Sequence, residues 1–268
     1  MCTVVILRRP GHDWPLILAA HRDEMTDRPW RAPGRHWSDR AEVVAGQDTL
    51  AGGAWLGLND WGVVAGVLNR PGSLGPDPAL RSRGELPLDA LEHAEAAVAA
   101  AAMAAIEQTS YRSFNLVIAD AAQAFWIKSE GGGGAEGAGA VSAAAIAEGV
   151  SMITAHDLND TASPRIRRFL PKFEAAAAPD PESGDWAEWR ALMGEGGPKS
   201  SENSGENNDP NSDGGAMTIV PDVTGPDGFA TVSSSLIALP APGRPGVKPK
   251  WLFAPGRPDK TDYGVVEI

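Results

Sequence analysis

The sequence predicts an α+β layered fold in which helices pack outside a buried pair of sheets, and three observations predict it. Apolar, β-branched runs come in pairs joined by turn residues; two helical stretches interrupt the strand pattern; and strands resume toward the carboxyl end. The strand candidates are apolar on both faces, as sheets covered on both sides require.

Residues 3–7 form the first apolar run and residues 15–20 the second, with a turn over 11–14, so they read as a hairpin with Cys2 at its outer end. Residues 52–59 and 63–69, separated by Asp60-Trp61-Gly62, read as a second strand pair. The alanine-rich stretch 87–108 places Leu88, Leu91, Ala94, Ala97 and Val98 at helical spacing behind Pro87, which predicts one helix. Strands are expected at 113–120, 124–128 and 149–154. Ser163 followed by Pro164 is an N-cap with proline at the first helical position, and 185–193 predicts a further short helix. Strands are then expected at 217–220, 228–239 and 250–253. Residues 131–140 form a glycine-rich turn, and about 194–216 has too little apolar content to fold, which predicts a disordered insert.

At 268 residues the chain can bury a substantial core, and a single domain over 1–268 is expected. The formal net charge of −12 argues against a nucleic-acid backbone or an anionic membrane as partner, and favours neutral or cationic ligands. A single cysteine excludes a disulfide framework and any multi-cysteine metal site, and fits a reducing cytoplasm. The apolar runs are too short or too interrupted for a membrane span. The expected partner is a small-molecule ligand, and the sequence leaves the oligomeric state open.

That single cysteine, Cys2, directly follows the initiator methionine. Methionine aminopeptidases generally remove Met1 before so small a side chain, so the mature chain is expected to carry a thiol and a free α-amino group on one residue. A thiol with pKa about 8.5 and an amine at about 7.7–8.0 both lie near neutrality, so the amine can take the thiol proton without a distant histidine. Position alone favours a small buried hydrophobe of the first strand, the commonest fate of a free cysteine.

Six features in order extend this reading: Met1-Cys2 opening a strand, His21-Arg-Asp-Glu24 closing the second, Arg28-Pro29, Gly52-Gly-Ala-Trp-Leu-Gly57, Arg81-Ser-Arg-Gly-Glu85 and Ser113-Phe-Asn-Leu116. Together they resemble the NRDE family, named for its Asn-Arg-Asp-Glu motif, which includes the eukaryotic Transport and Golgi organisation protein 2. The resemblance runs over nearly the whole chain outside the two inserts. That family in turn resembles the amino-terminal-nucleophile hydrolases of cholylglycine-type amides, which implies a four-layer αββα sandwich with a catalytic amino-terminal cysteine.

By that resemblance Cys2 is the nucleophile, Asp23 holds the α-amino group and Asn69 helps to form the oxyanion hole. A carboxylate beside an ammonium raises its pKa and fixes its direction, and an amide donor aimed at the developing alkoxide is worth on the order of 3 kcal/mol. His156 stands where related sequences carry an asparagine near the oxyanion hole, and its N–H would donate there instead. His21 replaces the first motif asparagine with an imidazole that titrates near neutrality. Arg22 and Glu24 would organise the pocket mouth, with Arg83 and Glu85 reaching it from a loop. Where the hydrolases use a late arginine, this chain has Val232 followed by Ser233, which is taken as the substrate-side residue of that strand. From the residues alone, Asp23 between Arg22 and Glu24 reads equally as an ion-pair cluster closing a strand, and Asn69 before Arg70-Pro71-Gly72 as turn chemistry.

Gly131–Gly134 lacks the Lys-Ser/Thr of a phosphate loop, and the histidines at 12, 21, 36, 93 and 156 show no metal-ligand spacing, so no metal is expected. Trp55, Trp61, Trp126 and Trp251 sit on expected strands, where core packing is the default. Trp14, Trp30 and Trp37 are candidates for lining a pocket. The resemblance implies an amidohydrolase that cleaves a non-peptide C–N bond of a small molecule without a cofactor. Because members of the family have been linked to haem trafficking, the alternative is a non-catalytic carrier of haem or another hydrophobic metabolite, with Cys2, His21 or His156 as axial ligand.

Overall fold

The computed structural model describes residues 2–75, 77–131, 141–196, 215–221 and 228–268. The expected disordered insert and the glycine-rich turn lie for most of their length outside the described residues. The strands and helices follow in the order β1 (Thr3–Arg8), β2 (Leu16–Met25), β3 (Trp30–Gly34), β4 (Val43–Asp48), β5 (Ala54–Asn59), β6 (Val64–Asn69), α1 (Glu85–Ala90) and α2 (Ala96–Ala104). They continue with β7 (Phe114–Ala119), β8 (Ala124–Ser129), β9 (Ser142–Ala145), β10 (Gly149–Ile153), α3 (Pro164–Ala175), α4 (Ala187–Met193), β11 (Phe229–Leu239), β12 (Lys250–Ala254) and β13 (Gly264–Val265).

Two antiparallel sheets result, one ordered β10-β1-β2-β11-β12-β13 and the other β3-β4-β5-β6-β7-β8-β9. The alternation of side chains along a strand decides the layers. Val4, Ile6, Leu18 and Ala20 point at the second sheet and pack with Val44, Leu56, Leu58 and Val64. Val5, Ile17 and Ala19 point the other way, onto Ile166 and Phe169 of α3 and Trp189 of α4. On the far side, Val43, Ala45, Ala65 and Leu116 of the second sheet pack under α1 and α2. The chain is therefore a four-layer αββα sandwich with three apolar layers.

The expected helix over 87–108 is two helices. Nδ2 of Asn59 donates to the carbonyls of Leu91 and His93, at 2.9 and 2.8 Å, and Asp120 accepts from the backbone N–H of Ala96 at 2.9 Å. Those side chains satisfy the carbonyls after α1 and open α2 afresh, so tertiary hydrogen bonds override the alanine propensity. Ser163 caps α3, accepting from Ile166 N at 3.3 Å, with Pro164 at its start. Residues 217–220 do not form a strand; Thr218 makes a single bridge to Gly196. Trp61 is not on a strand but in the β5–β6 turn, 54% exposed. Strands β3, β4, β9 and β13 were not expected: β9 is four exposed residues and β13 two, too short and too polar in setting to show an apolar pattern.

Candidate active site

A cavity of about 260 Å³ opens where the carboxyl end of β2 meets the end of β6 across the gap between the sheets. Cys2, Arg22, Asp23 and Glu24 line it from the first sheet, Trp55 and Asn69 from the second, and Arg83 from the loop before α1. The volume lies just below the usual range of ligand pockets, about 300–1,000 Å³, and suits a small molecule.

Cys2 shares the parity of Val4 and Ile6, so its thiol faces the gap between the sheets. Sγ accepts from the Asp23 backbone N–H at 3.4 Å and donates to the Asp23 carbonyl at 3.6 Å. Burial pushes the thiol pKa up, and the nearby Asp23 carboxylate adds to the rise. Both effects disfavour the thiolate, so a base beside the thiol would favour its deprotonation.

Asp23 lies on the opposite parity, and its carboxylate is fully buried toward the helical layer. Oδ1 accepts from Thr231 Oγ1 at 2.6 Å and Oδ2 from Arg165 Nη1 at 3.0 Å. Burial alone would raise this carboxyl, but neighbouring positive charge, Arg165 included, and the Thr231 hydroxyl hold it below the ordinary range. The same Arg165 nitrogen also donates to Thr3 Oγ1. Helix α3 therefore delivers a guanidinium that positions the carboxylate from behind, while the Asp23 backbone positions the thiol in front.

Asn69 ends β6, and its Nδ2 is buried with no acceptor among the described residues. A buried amide donor left unpaired costs free energy, so such groups call for a functional account. Here the donor belongs to the cavity that Cys2 also lines.

Arg22 stacks over Trp55 at 4.5 Å and donates to Asp48 Oδ2 at 3.0 Å. Arg28 donates to the same oxygen at 2.5 Å, and Glu24 lies 3.9 Å from Arg22 and 3.7 Å from Arg28. Oδ1 of Asp48 accepts from the backbone N–H groups of Leu50 and Ala51, and these bonds with the arginines depress its pKa against the effect of burial. Arg83 donates to Ser73 Oγ and the Ser113 carbonyl, at 2.6 and 2.9 Å. Burial pushes Arg83 down to about 10, and the charge of Arg112 acts in the same direction.

Cys2, Asp23, Asn69, Arg22, Glu24 and Arg83 are thus brought together, whereas His21, His156 and Ser233 are not. His21 follows the parity of Asp23 into the helical layer. Its Nδ1 lies 3.1 Å from the Met217 carbonyl, so that nitrogen carries the proton, and Nε2 has no partner among the described residues. Burial lowers its pKa to about 4. The ring of His156 turns to Asp160, Nδ1 to Oδ2 3.8 Å, while its backbone carbonyl accepts from Asn115 Nδ2 at 2.8 Å and its backbone N–H donates to Thr154 Oγ1 at 3.4 Å. Ser233 is buried where β11 pairs with Arg22 across a register shift after Thr231, and it does not line the cavity. Nor do Trp14, Trp30 and Trp37. Trp14 is sealed in the helix-side core, and Trp30 packs edge-on against Trp55 at 5.8 Å, from behind the lining.

Sequence reasoning missed Arg165, Thr231, Asp48 and Trp55 as site residues. Arg165 carried a faint signal: a cation in the first turn of an otherwise apolar helix face. The glycines of two motifs also acquire a meaning. Gly53 and Gly84 abut, and a Cβ on Gly53 would fall 2.5 Å from the Gly84 carbonyl carbon, so the β5 entrance can approach the Arg83 loop this closely only with glycine at 53. Asn115 is structural: it donates to the Thr154 and His156 carbonyls and accepts from Arg70 and Trp126, joining the two sheets. Among the described residues no three of His, Cys, Asp and Glu converge on a metal-sized site, and no helix is long and apolar enough to cross a membrane.

The chain superposes on a Caenorhabditis elegans orthologue of N-acylethanolamine-hydrolyzing acid amidase with TM-score 0.57 at 12% identity, covering 99% of this chain and 100% of the other. It also superposes on a penicillin V acylase from Agrobacterium tumefaciens with TM-score 0.50 at 14% identity, covering 95% and 83% of the two chains. The sandwich is thus of the amino-terminal-nucleophile hydrolase type. In sequence it is 36% identical over 110 residues to the Transport and Golgi organization protein 2 homolog of Bos taurus, a match spanning 39% of this chain and 38% of that protein. The sequence model named Transport and Golgi organisation 2 matches residues 1–237, and the chain belongs to that family.

Proposed function

We propose that this protein is an amino-terminal cysteine amidohydrolase, cleaving a non-peptide C–N bond of a small molecule after removal of Met1. The observation that carries the reading is the convergence on one cavity of a thiol held by the Asp23 backbone and the unpaired amide donor of Asn69. A fold of the hydrolase type supports the kind of reaction but supplies no substrate.

In the proposed reaction the α-amino group of Cys2 takes the thiol proton as Sγ bonds to the amide carbonyl carbon. Asn69 Nδ2 donates to the oxygen as it gains negative charge. The ammonium then returns the proton to the leaving nitrogen, the C–N bond breaks, and a thioester remains. Water, deprotonated by the same amine, attacks the thioester and releases the acid and the thiol. Asp23, fixed by Arg165 and Thr231, orients the amine through both steps. Val232, in place of a late arginine, sits at the β11 irregularity; in this reading Arg165 supplies a positive charge behind Asp23 from a different element. A reducing, cytoplasmic setting keeps the single thiol available.

An intact-mass measurement before and after a brief pulse of iodoacetamide tests the reading. Loss of Met1 with fast single labelling at neutral pH, slowed in Asp23→Asn, is expected, as is loss of amide turnover in Cys2→Ala. A retained Met1, or labelling no faster than a free cysteine, overturns it. The haem-carrier alternative has one axial candidate in the cavity, Cys2, because His21 and His156 lie outside its lining. A defined Soret shift lost in Cys2→Ala would be its signature.

A further inference from the structure

The cavity carries positive charge against the trend of the whole chain. Five arginines line it, at 22, 28, 81, 83 and 112, in a protein of net charge −12. Three are matched by carboxylates: Arg22 and Arg28 by Asp48 and Glu24, and Arg81 by Glu85. The other two form no ion pair with a carboxylate among the described residues, and Glu24 reaches Arg83 only as a longer-range charge. Arg83 uses only Nη1, toward Ser73 Oγ and the Ser113 carbonyl, and Arg112 only Nη1, toward the carbonyls of Leu74 and Gly75 at 2.6 and 3.0 Å.

These bonds tie both side chains to the same two segments, the loop after β6 and the residues just before β7, and the two guanidiniums lie near enough for the charge of Arg112 to act on Arg83. Like charges so placed repel. The depressed pKa of Arg83 follows from burial and from Arg112. The Nε and Nη2 donors of both side chains have no acceptor among the described residues, and nor does the buried Nη1 of Arg22 on the same cavity. Asp77, the remaining carboxylate of the lining, accepts from Ala79 N on its own loop. Planar guanidinium forks with unused donors match the oxygens of a carboxylate or phosphate, and an anion there would relieve the repulsion between them.

We propose that the cavity binds its ligand by an anionic end, a carboxylate or a phosphate ester, held between Arg83 and Arg112. The ligand class is then an acidic amide rather than the neutral or cationic molecule the overall charge suggests, with the reacting carbonyl toward Cys2. The amide group and that placement rest on the hydrolase reading; the anion site does not.

Calorimetry on Cys2→Ala protein, which cannot turn over a ligand, tests the site separately from the chemistry. Two matched pairs serve as probes: N-hexanoylglycine with its neutral methylamide, and the phosphate ester of N-hexanoyl-3-aminopropanol with the free alcohol. The charged member of at least one pair is expected to bind about tenfold more tightly, the scale of one charge-assisted contact. That advantage is expected to shrink with added salt and to fall toward unity in Arg83→Gln and Arg112→Gln. Unchanged binding of the neutral members shows that the variants have folded; if a variant does not fold, the charged-to-neutral ratio and its salt dependence in the parent protein decide. A preference within the glycine pair alone assigns a carboxylate, and within the alcohol pair alone a phosphate. Equal binding within both pairs, a preference insensitive to both arginines, or no binding of either charged probe overturns the proposal. Slow Cys2 labelling with the charge preference intact would reject the hydrolase reading and leave the anion site standing.

Discussion

The Asp23 carboxylate and the Arg165 guanidinium form an ion pair of 3.0 Å in which both side chains are fully buried. The pair links the motif at the end of β2 to the first turn of α3, 142 residues apart. Through it the helical layer bears on the thiol at the other side of the sheet, since the Asp23 backbone holds Cys2.

Removing Arg165 strips the buried Asp23 carboxylate of a hydrogen-bonded counter-charge. Arg165→Met is expected to lose about 3–5 kcal/mol of stability, read from urea denaturation, and to slow Cys2 labelling. A loss below about 1 kcal/mol would show that Asp23 is held by its other partners.

Asn69 is expected to behave oppositely. Its Nδ2 has no acceptor among the described residues, so Asn69→Ala removes an unpaired donor, and stability should change by less than about 1 kcal/mol. The rate of Cys2 acylation by a p-nitrophenyl ester should fall by about 10²–10³ if the donor serves the oxyanion. Release of p-nitrophenol in a single-turnover burst measures this, and an unchanged burst rate would remove Asn69 from the reaction.

His21 sets an acid limit on stability. It is buried neutral, with a pKa of about 4 in the folded protein against about 6.5 in the unfolded chain. Between those values the unfolded chain binds the extra proton, so stability falls as pH drops from 6.5 toward 4, by on the order of 3 kcal/mol. Asp23, with its pKa also depressed, adds a loss in the same direction at lower pH. His21→Asn, which restores the usual family residue and keeps a donor for the Met217 carbonyl, should flatten the profile of melting temperature between pH 7 and pH 4.5. An equally steep profile would place the acid sensitivity elsewhere.

Gly53→Ala forces a methyl group against the Gly84 backbone, which cannot swing aside as a side chain can. A loss of about 1–3 kcal/mol is expected, together with displaced Arg83 and weaker anion binding. Thermal melts and the charged-to-neutral binding ratio check the two effects; normal values of both would mean that the loop yields without consequence.

The sequence by itself determined that helices lie outside a buried pair of sheets, the hairpin that carries Cys2 and the capped start of α3, because these depend on local signals: apolar β-branched runs, turn residues, Ser163 before Pro164. It also placed Cys2, Asp23 and Asn69 at element ends that meet, through a family resemblance. The tertiary structure decided the rest, because packing and long-range hydrogen bonds do not appear in local pattern. It split the alanine-rich helix through Asn59, and it turned His21 away from the cavity, since a strand's parity sends residue 21 to the helices and residue 22 to the gap. It brought Arg165 behind Asp23 across 142 positions of chain. It also gathered Arg83 and Arg112 into one positive corner of an acidic protein, because net charge sums over the whole surface whereas a ligand responds to the few groups within reach.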